Sequence, residues 1–379
     1  MMGMNFVNPF MPLLVQQVGN FNNREAAFWG GIVTGATGIA MFFSAPLWGI
    51  VADRSGRKPM LLRSLFGSAL VVMLLGIAPN IFYLVALRFA LGVISGIKPA
   101  FYALVASTTP KDKIPFAMGL IAVATFGGTT IGPLFGGYLA DSIGFRNTFF
   151  VATALIIASG LGVLFFSWEK FERPAQIQAF SLRRIWGLAI SRQMLPILTV
   201  EFSLQASQQM LAPVAPLVIR ELDPARQGVA TETGVAFGLT GAIAAIAALV
   251  TGRLGGRISL KKMLVFACLI GGILSLPPIW AVSVAQFVIL FALSGIPKGV
   301  LMTSSTALVS LSVSSSQQGM GYGMAHSARA LGIGLGPLLG GSLGRLLGLK
   351  PVFGVAAGLF ALAGAIVAWR LTEQTPKKS

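Results

Sequence analysis

The segment EFSLQASQQM, residues 201–210, carries one carboxylate, Glu201, followed by three carboxamides, Gln205, Gln208 and Gln209, at spacings of four, seven and eight residues. In a helix those positions share one face. A carboxylate can take up and release a proton, and carboxamides donate and accept hydrogen bonds, so this face could hold a proton and a polar solute together. Other ionisable side chains stand singly in equally apolar runs: Arg88, Lys98, Lys298 and Arg329 as cations, and His326 as a group that titrates near neutrality. A charge in hydrocarbon costs on the order of 3 kcal/mol on insertion scales, so each must face a watery cavity or a partner. Glu201, His326 and Arg88 are the candidates for handling a proton. Gln205, Gln208, Gln209, Lys98, Lys298 and Arg329 are the candidates for lining the cavity. Four cations against one carboxylate favour a neutral or anionic solute. The plainer alternatives are structural pairing, snorkelling at helix ends and, for His326, a hydrogen-bonded packing role.

The elements that would position these groups are membrane helices. Of 379 residues 55% are hydrophobic and 10% charged, with a mean hydropathy of +0.81. That composition excludes a water-soluble enzyme. There is no GxxxxGK[ST] phosphate loop, no GxSxG elbow and no Cys/His cluster at metal-ligand spacing, so ATP-driven work, enzyme chemistry, a metal and a cofactor are all not expected. Cys268 is the single cysteine and lies in an apolar run. The net charge of +17 would point to nucleic acid in a soluble chain. Here the basic residues fall in alternate loops and report topology instead. The expected partners are the lipid bilayer, a small-molecule substrate and protons, with no nucleic acid and a monomer as the working unit.

Apolar runs against turn signals predict an all-α membrane protein of twelve helices, near 2–18, 27–52, 60–77, 80–106, 114–139, 147–167, 193–219, 234–251, 263–281, 283–308, 319–345 and 351–371. The Lys/Arg excess on one set of loops places both termini in the cytoplasm. A polar stretch at 168–192 divides an N-terminal bundle, 1–167, from a C-terminal bundle, 193–379. The halves repeat at an offset of about 204 residues: GPLFGG at 132–137 returns as GPLLGG at 336–341, and Pro9 and Pro12 superimpose on Pro213 and Pro216. GIVADRSGRKPML at 49–61 returns as GRLGGRISLKKML at 252–264, and SGIKPA, with Lys98, is matched to SGIPKG, with Lys298. Met1 aligns with Gln205, about twelve residues into helix seven, so a truncated first helix is expected, with the true start upstream.

These residues resemble the major facilitator superfamily, and within it the bacterial twelve-helix drug:proton antiporters, such as MdtG-type and tetracycline-efflux pumps. The likeness to the superfamily loop motif runs through Gly49, Asp53, Arg54, Gly56, Arg57 and Lys58; Arg88, Gly92 and Gly96 match a fourth-helix motif. Gly128, Gly132, Pro133, Gly136 and Gly137 match the fifth-helix motif of antiporters. The resemblance implies two pseudo-symmetric six-helix bundles that exchange a cavity between the two sides of the membrane, exporting small amphipathic molecules against protons. It also implies that Asp53 latches onto the start of helix eleven, and that helix five meets helix eight and helix eleven meets helix two. Import of an organic anion or sugar phosphate with protons, and a non-transporting sensor or scaffold, are the alternatives. The sequence departs from the family in having Gly256 where the first loop has Asp53, and in lacking a carboxylate in the first helix.

Overall fold

The computed structural model describes residues 6–94, 104–105, 114–169, 187–225, 227–254, 258–312 and 318–371. The elements there are helical, and we number them by span. The N-terminal half supplies α1 (Met11–Gly19), α2 (Asn23–Ser55), α3 (Arg57–Gly76), α4 (Ile81–Ile94), α5 (Ile114–Ile143) and α6 (Phe145–Phe166). In the C-terminal half α7 runs over Met194–Leu211 and resumes at Ala215–Leu222, α8 is Val229–Leu254 and α9 is Leu260–Ser275. There α10 runs over Val284–Ala292 and Gly295–Ser312, α11 is Gln318–Leu347 and α12 is Pro351–Arg370. Eight spans among the described residues are long and apolar enough to cross a membrane.

Local sequence explains the breaks. Helix is present at Phe6–Val7, turns at 8–10 and resumes as α1, just as α7 turns at 212–214. Pro12 and Pro216 sit in the first turn of the resumed segments, where a missing N–H is tolerated. The turns are built alike: Leu14 N–H donates to the Phe10 carbonyl at 3.1 Å, and Val218 N–H to the Val214 carbonyl at 3.0 Å. Gly56, at φ 93°, ends α2 and opens α3, a backbone region that side chains disfavour. Asp53 and Arg54 therefore lie in the last turn of α2, not beyond its end as the sequence reading placed them.

Two close helix pairs join the halves: α2 on α11, and α5 on α8. Both are made by the proline-glycine breaks. A Cβ at Gly137 would collide with the Ala230 carbonyl of α8, and a Cβ at Gly341 with the Ala27 carbonyl of α2. The Pro133 carbonyl packs on Gly234, the Pro337 carbonyl on Gly31. Gly136 and Gly340 do the same toward Phe6 and Met210, at the same place in each half. Proline frees a turn of backbone and glycine removes the side chain that would hold the helices apart, so carbonyls meet helix faces directly.

These contacts also fix the register of the duplication. Gly92 packs on the Thr37 carbonyl and Gly295 on the Thr240 carbonyl, an offset of 203 residues on both members. The matching of SGIKPA with SGIPKG is thus corrected: Gly295 corresponds to Gly92, so Lys298 falls opposite Ser95, not Lys98. Lys98 itself lies outside the described residues. Over-filling these contacts should be costly, whereas Gly354 has open space at its Cβ. Gly341→Leu is expected to lower stability by about 1–3 kcal/mol in thermal unfolding in detergent, and Gly354→Ala to leave it unchanged or slightly raised. Equal effects would contradict the packing.

Candidate functional site

The row Glu201, Gln205, Gln209 runs along α11, whose Gly332 and Gly336 lie against Gln205 and Gln209. Glu201 is 1% exposed and held from two other helices. Arg329 of α11 donates from Nε to Oε2 at 2.5 Å and from Nη2 to Oε1 at 2.7 Å, a forked ion pair. Ser305 of α10 donates its hydroxyl to Oε1 at 2.6 Å, and Arg329 Nη2 reaches Thr306 Oγ1 at 3.4 Å. The expected four-residue cavity wall is therefore divided. Glu201 is enclosed within the C-terminal bundle by Arg329 and Ser305, whereas Gln208 and Gln209 open on the central cavity. His326 lies half-buried on α11, three residues before Arg329.

That cavity, about 230 Å³, sits between the halves. Arg88 and Lys298 line it with Gln208, Gln209, Asn8 and Pro9 of the turn before α1, and residues of α2, α5 and α8. Arg88 is 4% exposed; its Nη1 donates to Asn8 Oδ1 at 2.9 Å, and its backbone carbonyl accepts from Thr37 Oγ1 at 2.9 Å. Its Nε has no acceptor among the described residues. Two of the expected cavity cations are thus in place, while Arg329 is neutralised by Glu201. A further cation that the sequence reading left out, Arg63 of α3, stacks on the Trp48 ring at 3.3 Å.

At the cytoplasmic end the loop motif does more than mark topology. The Arg57 and Lys58 backbone N–H groups donate to Glu169 at 2.9 and 2.7 Å, placing a carboxylate on the start of α3. Lys58 Nζ donates to the Leu164 and Ser167 carbonyls at 2.9 and 2.5 Å, closing the end of α6. The side-chain contacts of Asp53 and Arg54 lie outside the described residues. Within α5, Gly128, Gly132, Pro133, Gly136 and Gly137 are buried, the last two against Phe6 and α8.

The periplasmic end is closed. Asp141, in the last turn of α5, accepts from the backbone N–H of Thr231 at 2.6 Å and from its hydroxyl at 2.5 Å, at the start of α8. The pseudo-symmetric place holds Arg345 over the Phe28 ring at 4.8 Å. Arg220 Nη1 donates to Gln16 Oε1 at 2.9 Å, a third contact between the halves. In contrast Gly127 of α5 and Gly323 of α11, in the cytoplasmic halves, face open space. Sequence reasoning missed Asn8, Asp141, Glu169, Thr231 and Ser305. Asp141 and Arg345 were within reach, since they align across the repeat with opposite charge; Ser305, a hydroxyl in an apolar run, gave no signal.

Two helical bundles around a central cavity lined by both polar and aromatic residues, sealed on one side by interbundle contacts, define a membrane transporter. The Major Facilitator Superfamily profile matches residues 1–222 and again 197–379. The chain belongs to that superfamily and is a multi-pass protein of the bacterial cytoplasmic membrane. It is 32% identical to the multidrug resistance protein MdtG of Citrobacter koseri over 96% of its own length and 90% of that protein, and 32% identical to MdtG of Escherichia coli over the same shares. Its fold is similar to that of the nucleoside transporter NupG, with a TM-score of 0.79 at 14% identity, covering 98% of this chain and 97% of that one. A bacterial homolog of the lysosomal transporter Spinster, in an inward-facing conformation, gives a TM-score of 0.77 at 12% identity over 97% and 92% of the two chains.

Removing one partner of a buried ion pair strands the other. Arg329→Ala should therefore destabilise the protein by about 3–5 kcal/mol, and adding Glu201→Gln to it should restore most of the loss. A double variant no more stable than Arg329→Ala in detergent unfolding would contradict the pairing.

Proposed function

We propose that the chain is a proton-coupled exporter of small amphipathic molecules, neutral or anionic, working by alternating access of the central cavity. The observation that carries this reading is the ion pair between buried Glu201, on the helix that also lines the cavity through Gln208, and half-buried Arg329 of α11. Protonation of Glu201 removes the charge that holds Arg329, and Gln208 lies about two turns farther along the same helix. A solute at the cavity and a proton at Glu201 therefore act on one rigid element and bias each other's binding. His326 and Arg88 are the next candidates for proton handling.

Export is supported by the fifth-helix motif and by the relatives named for multidrug resistance that match the chain along nearly all its length. Protons entering from the periplasm would drive the solute outward. The cytoplasmic latch would be Asp53 on the start of α11, assisted by Gly49, Arg54, Gly56, Arg57 and Lys58. One chain contains both bundles and the cavity, which supports a monomeric unit. Arg88 and Lys298 would equally serve import of an organic anion with protons, and direction of flux separates the two; a sensor or scaffold would show no solute-dependent proton movement.

In proteoliposomes carrying a pH-sensitive dye, amphipathic anions and neutral compounds are expected to drive proton movement opposite to their own. Glu201→Gln is expected to keep binding and lose this coupling. Unaltered coupled transport in that variant would remove Glu201 from the mechanism, and export of a permanent cation without any matched anion would overturn the charge preference.

A further inference from the structure

The register of the duplication allows the cavity wall to be compared position by position. Contacts of α5 on the helical turn before α1 and of α11 on α7 repeat at an offset of 204 residues, from Gly136 on Phe6 to Gly340 on Met210. Those of α4 on α2 and of α10 on α8 repeat at 203, from Gly92 on Thr37 to Gly295 on Thr240. By this register Asn8 corresponds to Ala212, Thr34 to Phe237, Arg88 to Phe291 and Thr129 to Ile333. All eight line the same cavity. In each pair the N-terminal member is polar and its C-terminal counterpart is apolar. Only Thr37 and Thr240 have kept the same type.

At these four pairs the halves have therefore diverged, while Gln208, Gln209, Ser294 and Lys298 add polar groups elsewhere on the C-terminal side. In the N-terminal half, the Arg88 guanidinium is fixed by Asn8 through Nη1 at 2.9 Å and keeps an Nε–H for which the described residues offer no acceptor. A buried guanidinium with unused donor capacity is matched by an oxygen anion, most closely by a planar carboxylate. In the C-terminal half, Phe291 packs edge-on to Phe237 with ring centroids 5.2 Å apart, and stacks on Phe287 at 5.8 Å. Phe287 and Phe353 behind it are fully buried, so the wall is a braced aromatic surface. Lys298 also faces the cavity, seven positions farther along α10 than Phe291, nearer the cytoplasm.

The geometry points to a subsite for aromatic carboxylates that spans the two bundles, with the carboxylate on Arg88 of the N-terminal half and the ring against Phe291 and Phe237 of the C-terminal half. This rests on the cavity's being the substrate site, and it narrows the substrate from an amphipath in general to one whose charged end and ring lie at opposite ends. Such a ligand touches both bundles at once, so its binding energy depends on their relative position.

The test is binding of 2-naphthoate and of its methyl ester to the purified protein in detergent, by titration calorimetry. Wild type is expected to bind the carboxylate about tenfold more tightly than the ester. Arg88→Gln should abolish that preference while leaving ester affinity within about twofold, Arg88→Lys should retain most of it, and Phe291→Ala should weaken both ligands by a similar factor. Equal binding of the two ligands by wild type, binding of neither, or a preference lost in Lys298→Gln but kept in Arg88→Gln would overturn the assignment. The wild-type comparison needs no variant to fold. The assay reads no transport: a chain that binds as expected yet moves no protons defeats the export reading alone, and one that couples protons without this preference defeats the subsite alone.

Discussion

The arrangement depends on one constraint: α2 must meet α11, and α5 must meet α8, through bare backbone. A carbonyl oxygen against a glycine Cα leaves no side chain between the bundles, and both interfaces use the same residues of the repeat, Pro133 with Gly137 and Pro337 with Gly341. Within a bilayer there is little hydrophobic gain from pairing helices, so close packing itself holds them. The contacts are confined to the periplasmic halves of the glycines described. The cavity begins where they end, with Pro133 itself in its wall. Glycine surfaces also part without breaking specific side-chain bonds, as the proposed alternating access requires. The polar closures, Asp141 on Thr231 and Arg345 on Phe28, sit at the rim, outside the tight contact.

Charge inside the membrane is managed asymmetrically. Glu201 is matched by Arg329 and Ser305, all in the C-terminal bundle, so the pair can form whatever the position of the other bundle. Arg88, in the N-terminal bundle, has a carboxamide partner and no counter-charge among the hydrogen bonds described for it. The two halves share a backbone plan to within one residue of register. Their side chains have separated: the Glu201–Arg329 ion pair lies in the C-terminal half, and Arg88 of the N-terminal half stands in the cavity wall where its counterpart is Phe291. Duplication supplies the symmetric frame, and divergence at equivalent positions sets Arg88 in one half against Phe291 in the other.

Much of the fold was legible in the sequence because membrane helices are written in long apolar runs, and each of the twelve predicted spans overlaps helix in the described structure. The repeated GPLxGG marked close-packing surfaces, and the family resemblance supplied the helices they meet. Side-chain partnerships were less legible. Glu201 was read as a cavity residue because helical spacing groups it with Gln205, Gln208 and Gln209. Spacing cannot show that Arg329 of α11 and Ser305 of α10 enclose one end of that face. Ser305, Asn8 and Glu169 became partners only through the packing of helices remote in sequence. The one-turn error in matching Lys298 to Lys98 has a similar source: SGI recurs in both halves, but the contact that sets register is Gly92 on Thr37.

The central claim is that the two glycine interfaces form one periplasmic gate that opens as a unit. It is tested most directly by electron spin distance measurements in reconstituted protein with Cys268 replaced by serine. One label pair would be placed at Ser142 and Gln227, across α5 and α8, and another at Asn22 and Leu346, across α2 and α11. All four positions are exposed. The account predicts short distances in both pairs at rest, and a longer population appearing in both together when the periplasmic side is acidified in the presence of a transported solute. Distances that never change, or one pair widening while the other stays closed, would contradict it.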